Sequence, residues 1–198
     1  MAQPQAAEPE SLIRDLALAG FTAALQKGFL MKDSDLYRYL LHFAHASMAD
    51  SSVFYYKPIK WAVEKGIATG FSDNTFRPNN NCNRASVVTF LWRLAGKPNL
   101  GITNVFSDMT GNSDFDKAIT WASRKGITTG FSDGTFRPWD TCNRAAIVTF
   151  LWRYAGKPTP KRMASFKDMT NNSDFDKAIS WAAEKGITTG YTDNTFRP

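Results

Sequence analysis

Asp114-Phe-Asp-Lys-Ala-Ile-Thr-Trp-Ala-Ser-Arg-Lys125 runs directly into Gly126-Ile-Thr-Thr-Gly130-Phe-Ser-Asp-Gly-Thr-Phe-Arg-Pro138, and most of the chain can be built outward from these residues. Phe115, Ala118, Ile119 and Ala122 stand at i, i+3, i+4 and i+7, the spacing of one apolar helix face. Ser113 or Asp114 is predicted to cap the start, and the acidic first turn suits the positive end of a helix. Lys125 suits the last turn, and Gly126 the left-handed residue after it. Asp133-Gly-Thr-Phe136 reads as a tight turn with Gly134 at positive φ. Short extended pieces are the most this loop is expected to hold.

The same pattern returns. Ser113–Pro138 matches Ser173–Pro198 at 20 of 26 positions, and Thr75–Pro98 matches Thr135–Pro158 at 18 of 24. Trp61, Trp121 and Trp181 are spaced 60 residues apart, as are Phe76, Phe136 and Phe196. A fixed period of this kind marks a repeat architecture. The units fall at 51–98, 105–158 and 165–198, the last ending at Pro198 before its second half. In the middle unit a second helix opens at Asn143, with Ile147, Val148, Leu151, Tyr154 and Ala155 as its core stripe, and Gly156-Lys-Pro158 ends it. Two short helices cannot bury their faces alone, so the repeats are expected to share one core in a three-lobed body. Residues 1–50 stand outside the repeat. Ser11–Lys27 and Asp33–Ser47 read as helices, one of which could fill the place of the missing second helix of the third unit.

Composition narrows the function. Of the 198 residues, 43% are hydrophobic and 21% charged, the balance of a globular chain. No apolar run reaches the roughly 18 residues of a spanning helix. Leu16–Leu25 is short, contains Gly20 and Thr22, and follows no basic cluster, so a signal peptide is not read here. An export leader would have to lie outside these residues. The net charge of +6 suits an anionic partner, but the basic residues are dispersed and no nucleic-acid motif is present. His42 and His45 are too few for a metal site. Asp73, Asp133 and Asp193 lack the further oxygen ligands of a calcium loop, and a turn explains them better. Asp114, Asp116, Asp174 and Asp176 are first-turn helix residues rather than a glycosidase pair. No Ser/His or Cys/His arrangement is visible, so an enzyme is not expected.

The run Phe-Ser-Asp, Ala-Ile-x-Trp-Ala, Lys-Gly-Ile-x-x-Gly, Asp-Gly-Thr-Phe-x-Pro and Asn-Arg-Ala resembles the S-layer homology repeat of bacterial surface proteins. The resemblance covers about 51–198, three quarters of the chain. It implies a mainly α fold of three helix-loop-helix repeats in a pseudo-threefold bundle, here with extra N-terminal helices. It also implies non-catalytic anchoring at the bacterial cell wall by binding an anionic secondary cell-wall polysaccharide, often pyruvylated, in grooves between repeats. No cofactor or metal is implied. The chain departs from the family's Thr-Arg-Ala-Glu signature, with Asn83-Arg84-Ala85-Ser86 and Asn143-Arg144-Ala145-Ala146. Asn keeps N-cap ability, whereas losing Glu removes half of a capping box. The alternative function is a structural module that packs surface proteins together.

Arg84 and Arg144 are the leading site candidates. A guanidinium beside the orphan N–H groups of a helix start would make an anion-binding corner. The structural alternative is pairing with an Asp such as that in Phe-Ser-Asp. Trp61, Trp121 and Trp181 are read as an aromatic wall for a sugar face or as core residues. Gly70, Gly130 and Gly190 permit a special turn or close ligand approach, and the resemblance implies both. Trp92 and Trp152 read as core. Cys82 and Cys142 read as small buried hydrophobes, since a disulfide would need the two positions to converge.

Overall fold

A computed structural model describes residues 56–73, 75–77 and 80–198, with side chains from residue 59 onward. The helices expected within 1–50 and their proposed docking, like His42 and His45, lie outside the described residues. Five helices follow in order: α1 (Tyr56–Glu64), α2 (Arg84–Leu94), α3 (Ser113–Arg124), α4 (Arg144–Tyr154) and α5 (Ser173–Glu184). The described part is mainly α, and its one antiparallel pairing is an isolated bridge between Asn83 and Thr141.

The first helices form as their pattern predicts, with one change at the cap. Asn112, not Ser113 or Asp114, is the N-cap of α3, and its side chain accepts from the N–H groups of Asp114 and Phe115. Asn172 does the same for α5. The turn before α3 is closed by buried Asp116, which accepts from the Thr110 N–H (2.8 Å), the Thr110 hydroxyl (2.7 Å) and the Gly111 N–H (3.0 Å). At the far end Gly126 takes φ +67°, and the Ile127 N–H returns to the Ala122 carbonyl at 2.8 Å. This is a Schellman stop that satisfies a last-turn carbonyl. The apolar stripe is buried: Ala118, Ile119 and Ala122 have no exposed surface.

The second helices start at Asn83 and Asn143, whose side chains accept from the Ser86 and Ala146 N–H groups. Their burial is broader than one stripe. In α4, Thr149, Phe150 and Trp152 are buried along with Ile147, Val148 and Leu151. The breadth arises because α4 lies between neighbours, packing on α5 and also touching α2. The indoles of Trp92 and Trp152 donate to the carbonyls of Pro98 (3.0 Å) and Pro158 (2.8 Å), so both are anchored core residues.

The helix pairs cut across the sequence repeats. The main packing partners are α2 with α3 and α4 with α5, so the second helix of each unit packs on the first helix of the next. Two ion pairs repeat this offset: Arg93 with Asp114 at 3.2 Å, and Arg153 with Asp174 at 2.8 Å. The core therefore differs from the single shared one expected. Among the described residues there is a large cluster from Cys82 to Phe196. A separate small cluster of Ile59, Ala62, Ile67, Ala68 and Phe76 sits under α1. Phe90 packs against both.

Candidate functional site

Two grooves open along these half-repeat joints. The first, of about 390 Å³, has the Thr69–Phe71 loop on one side and α2 on the other, with Phe115 and Trp139 at its edge. The second, of about 460 Å³, repeats it one unit on, between the Thr128–Phe131 loop, α4 and the start of α5. Ser86, Thr89, Phe90 and Arg93 of the first correspond to Ala146, Thr149, Phe150 and Arg153 of the second. Arg84 lines the second groove, so that site draws on all three repeats.

Arg84 is held in a ring cage. Its Nε donates to the Phe136 carbonyl at 2.8 Å. Its guanidinium carbon lies 4.8 Å from the ring centres of Phe131 and Phe136, and 5.3 Å from that of Phe150. Aromatic faces favour a cation at this range. Burial pulls the pKa of Arg84 below its ordinary value, though an arginine stays charged at neutral pH. Among the described residues no carboxylate lies within ion-pairing distance of it.

The expected pairing with Phe-Ser-Asp is not made, because Asp108 is engaged elsewhere. Its two carboxylate oxygens accept from the Phe136 and Arg137 N–H groups, both at 2.7 Å. Asp168 does the same for Phe196 and Arg197, both at 2.6 Å. The helix start of α2 also differs from the expected anion corner. The Arg84 N–H donates to the Asp140 carbonyl at 3.0 Å and the Ala85 N–H to the Pro138 carbonyl at 2.9 Å. The Ser86 N–H is taken by Asn83, and the Val87 N–H reaches the Asn83 carbonyl at 3.2 Å. The orphan donors are therefore satisfied internally, and the guanidinium alone remains for an anion.

Arg144 repeats the cage. Its Nη2 reaches the Thr188 hydroxyl at 3.5 Å, and its guanidinium stands over Phe196 (4.4 Å) and Tyr191 (5.4 Å).

The glycines lie where the loops bend. Gly70 and Gly130 line the first and second grooves, and Gly70, Gly130 and Gly190 have φ of +67°, +67° and +70°. A Cβ on Gly130 would meet a Phe106 ring carbon at 2.2 Å, and one on Gly190 a Phe166 carbon at 2.1 Å. A packed ring from the same repeat thus crowds these two positions. The tryptophans are not brought to the grooves. Trp121 and Trp181 are only 2% exposed, partly buried Trp61 packs on the small cluster, and none of the three lines either groove. Trp121 and Trp181 follow the fully buried Ala118 and Ala178 by three positions, so each indole shares a buried face of its helix.

Sequence reasoning missed the aromatic lining, namely Phe71, Phe131, Phe150 and the solvent-facing Trp139, and also the Arg153–Asp174 pair. Arg93 and Arg153 carried a usable signal, since each is a charge inside an apolar helical run at the same repeat position. Trp139 gave less, because the first repeat has Asn79 in its place. Among the described residues no helix is long and apolar enough to cross a membrane. No cluster of three or more His, Cys, Asp or Glu among them is placed to hold a metal.

Fold and grooves together define a class: a helical repeat module whose clefts are assembled from the second half of one unit and the first half of the next. The chain belongs to the S-layer homology domain family, which matches residues 49–88, 105–147 and 165–198. It is similar to Cell surface glycoprotein 1 of Acetivibrio thermocellus, 30% identical over 144 residues that cover 65% of this chain and 6% of that protein. It is also similar to the Cellulosome-anchoring protein of the same organism, 29% identical over 140 residues that cover 65% of this chain and 31% of that protein. The chain thus spans less than a third of either relative.

Proposed function

We propose that this chain is a non-catalytic anchoring module of the bacterial cell surface. It holds an acidic wall polysaccharide in the groove lined by Arg84. The observation that carries this reading is the Arg84 guanidinium, caged by three rings at the groove and without a carboxylate partner among the described residues. A desolvated guanidinium in that state selects an anion, and its planar fork suits a carboxylate such as that of a pyruvyl ketal. Gly130 and Phe131 shape the near side, and the Arg153–Asp174 pair holds the far side in register. The first groove, with Trp139 59% exposed and edge-on to Phe115 at 5.5 Å, offers a ring for the apolar face of a neighbouring sugar. The Cellulosome-anchoring protein is similar to this chain over 140 residues, and its name supports a role in surface attachment.

The test is co-sedimentation of the chain with purified bacterial walls before and after the acid-labile polysaccharide is stripped. Binding to intact walls and loss on stripping is the expected result. Equal binding to both would overturn the polysaccharide reading and point to peptidoglycan. A second reading, packing between surface proteins, is favoured by the exposed Leu100, Ile102 and Met163 on the segments between repeats. Self-association on sizing that is indifferent to glycan would support it.

A further inference from the structure

We propose that Cys82 and Cys142 are a cross-link site, at which thiol–disulfide exchange with a small disulfide oxidant welds the first repeat to the second. The two thiols are free and buried, and occupy the same position in successive repeats. The fold brings them face to face. Asn83 and Thr141 form an antiparallel bridge, flanked by hydrogen bonds from the Arg84 N–H to the Asp140 carbonyl and from the Cys142 N–H to the Cys82 carbonyl, each 3.0 Å. That pattern places Cys82 directly opposite Cys142, one step along from the Asn83/Thr141 pair. Opposed residues of antiparallel segments project to the same face with Cα atoms about 4.5–5.5 Å apart. A disulfide accepts Cα separations of about 4.4–6.8 Å.

The surroundings set the order of events. Cys82 lines the first groove and is 7% exposed, whereas Cys142 is 1% exposed. The Cys82 thiolate attacks the oxidant disulfide, forming a mixed disulfide and releasing one thiolate. The Cys142 thiolate then attacks the Cys82 sulfur, forms the protein disulfide and releases the second. The two protons lost by the cysteines end on the two released thiols, so the protein pair is oxidised by two electrons and the oxidant reduced by two. Burial pushes both thiols up to about 12, which keeps them protonated and slow to react. The site is therefore a staple rather than a fast sensor. The bond would lie two residues before Arg84 and fix the crossing that seats the first turn of α2. This inference is independent of what the grooves bind.

The full chain is incubated with glutathione disulfide, then denatured and its free thiols titrated, with peptide mapping by mass spectrometry. The expected result is loss of both thiols, a mass lower by two hydrogens and one linked Cys82–Cys142 peptide in a monomeric chain. The urea midpoint of this product should lie above that of the reduced chain. Cys142→Ser, checked for native circular dichroism, should stop at a single glutathione adduct on Cys82. Two titratable thiols after incubation, adducts on both cysteines without linkage, or linkage between chains would each overturn the proposal.

Discussion

Gly130 has two independent reasons to be glycine: its φ of +67° and the Phe106 ring carbon 2.2 Å from where a Cβ would stand. Gly126 has only the first, with open space around it. Gly126→Ala should therefore cost about 1–2 kcal/mol for the left-handed backbone alone. Gly130→Ala should cost about 2–4 kcal/mol because overpacking adds to that strain. Urea unfolding of the two variants checks this, and equal losses would contradict the ring contact. The sequence showed that a special residue was needed at Gly130 but not why, since Phe106 lies 24 positions away. Arg77, Arg137 and Arg197 are a clearer miss. Each takes positive φ without being glycine, held by an ion pair to Asp73, Asp133 or Asp193 and stacked on Phe71, Phe131 or Tyr191. The Thr135 hydroxyl first, and then Arg137, hold the Asp133 carboxyl at about 2, and Thr195 and then Arg197 do the same for Asp193. A lowered folded pKa means these turn contacts are intact above the unfolded value of about 3.9 and are lost as pH falls through about 2. Carboxyl shifts followed by NMR should show midpoints near 2, and midpoints near 4 would show that the turns do not form as described.

Helix limits were readable because stop signals and apolar spacing are local. The predicted first helix began one residue late, and Asn143 was placed as a cap where the structure has it. The misassigned caps turn on side-chain geometry within the entering turn, where several neighbouring polar residues compete for the same N–H groups. Asn112 takes the role expected of Ser113 because its side chain reaches two N–H groups, while Asp116 closes the preceding turn from inside the helix. Asn112→Ala should cost about 1 kcal/mol, the usual loss of a cap. Asp116→Ala should cost about 2–3 kcal/mol, because it strands donors that the buried carboxylate now satisfies. Thermal unfolding that ranked Asn112→Ala as the more damaging would contradict the buried role of Asp116. The second helices show the limit of pattern reading. An apolar stripe and the core Trp152 were visible in α4, but burial of Thr149 and Phe150 follows from its place between α5 and α2, which no local pattern encodes.

At the scale of the whole molecule the packing unit is offset by half a repeat from the sequence unit. Period and repeat number were legible, since identity at a fixed spacing needs no structure. The offset was not, because it depends on which neighbour each second helix meets. It predicts uneven stability. The small cluster under α1 is joined to the main core through Phe90, whereas α3 and α4 lie within the large cluster. Amide hydrogen exchange should therefore be faster in α1 than in α3 and α4, following their unequal buried contacts. Uniform protection would argue for the single core that the repeat pattern suggested. The same offset explains why Arg84 was legible as a candidate while its partners were not: the ring cage comes from the following repeat. The most direct test of the account is the affinity of the acid-extracted wall polysaccharide for the wild-type chain and for Arg84→Ala and Arg84→Lys, with circular dichroism confirming the fold. Anchoring through Arg84 predicts about a 10–100-fold loss for Arg84→Ala, the worth of a charged hydrogen bond. It predicts a partial loss for Arg84→Lys, which keeps the charge but not the fork. Unchanged affinity in Arg84→Ala would contradict it.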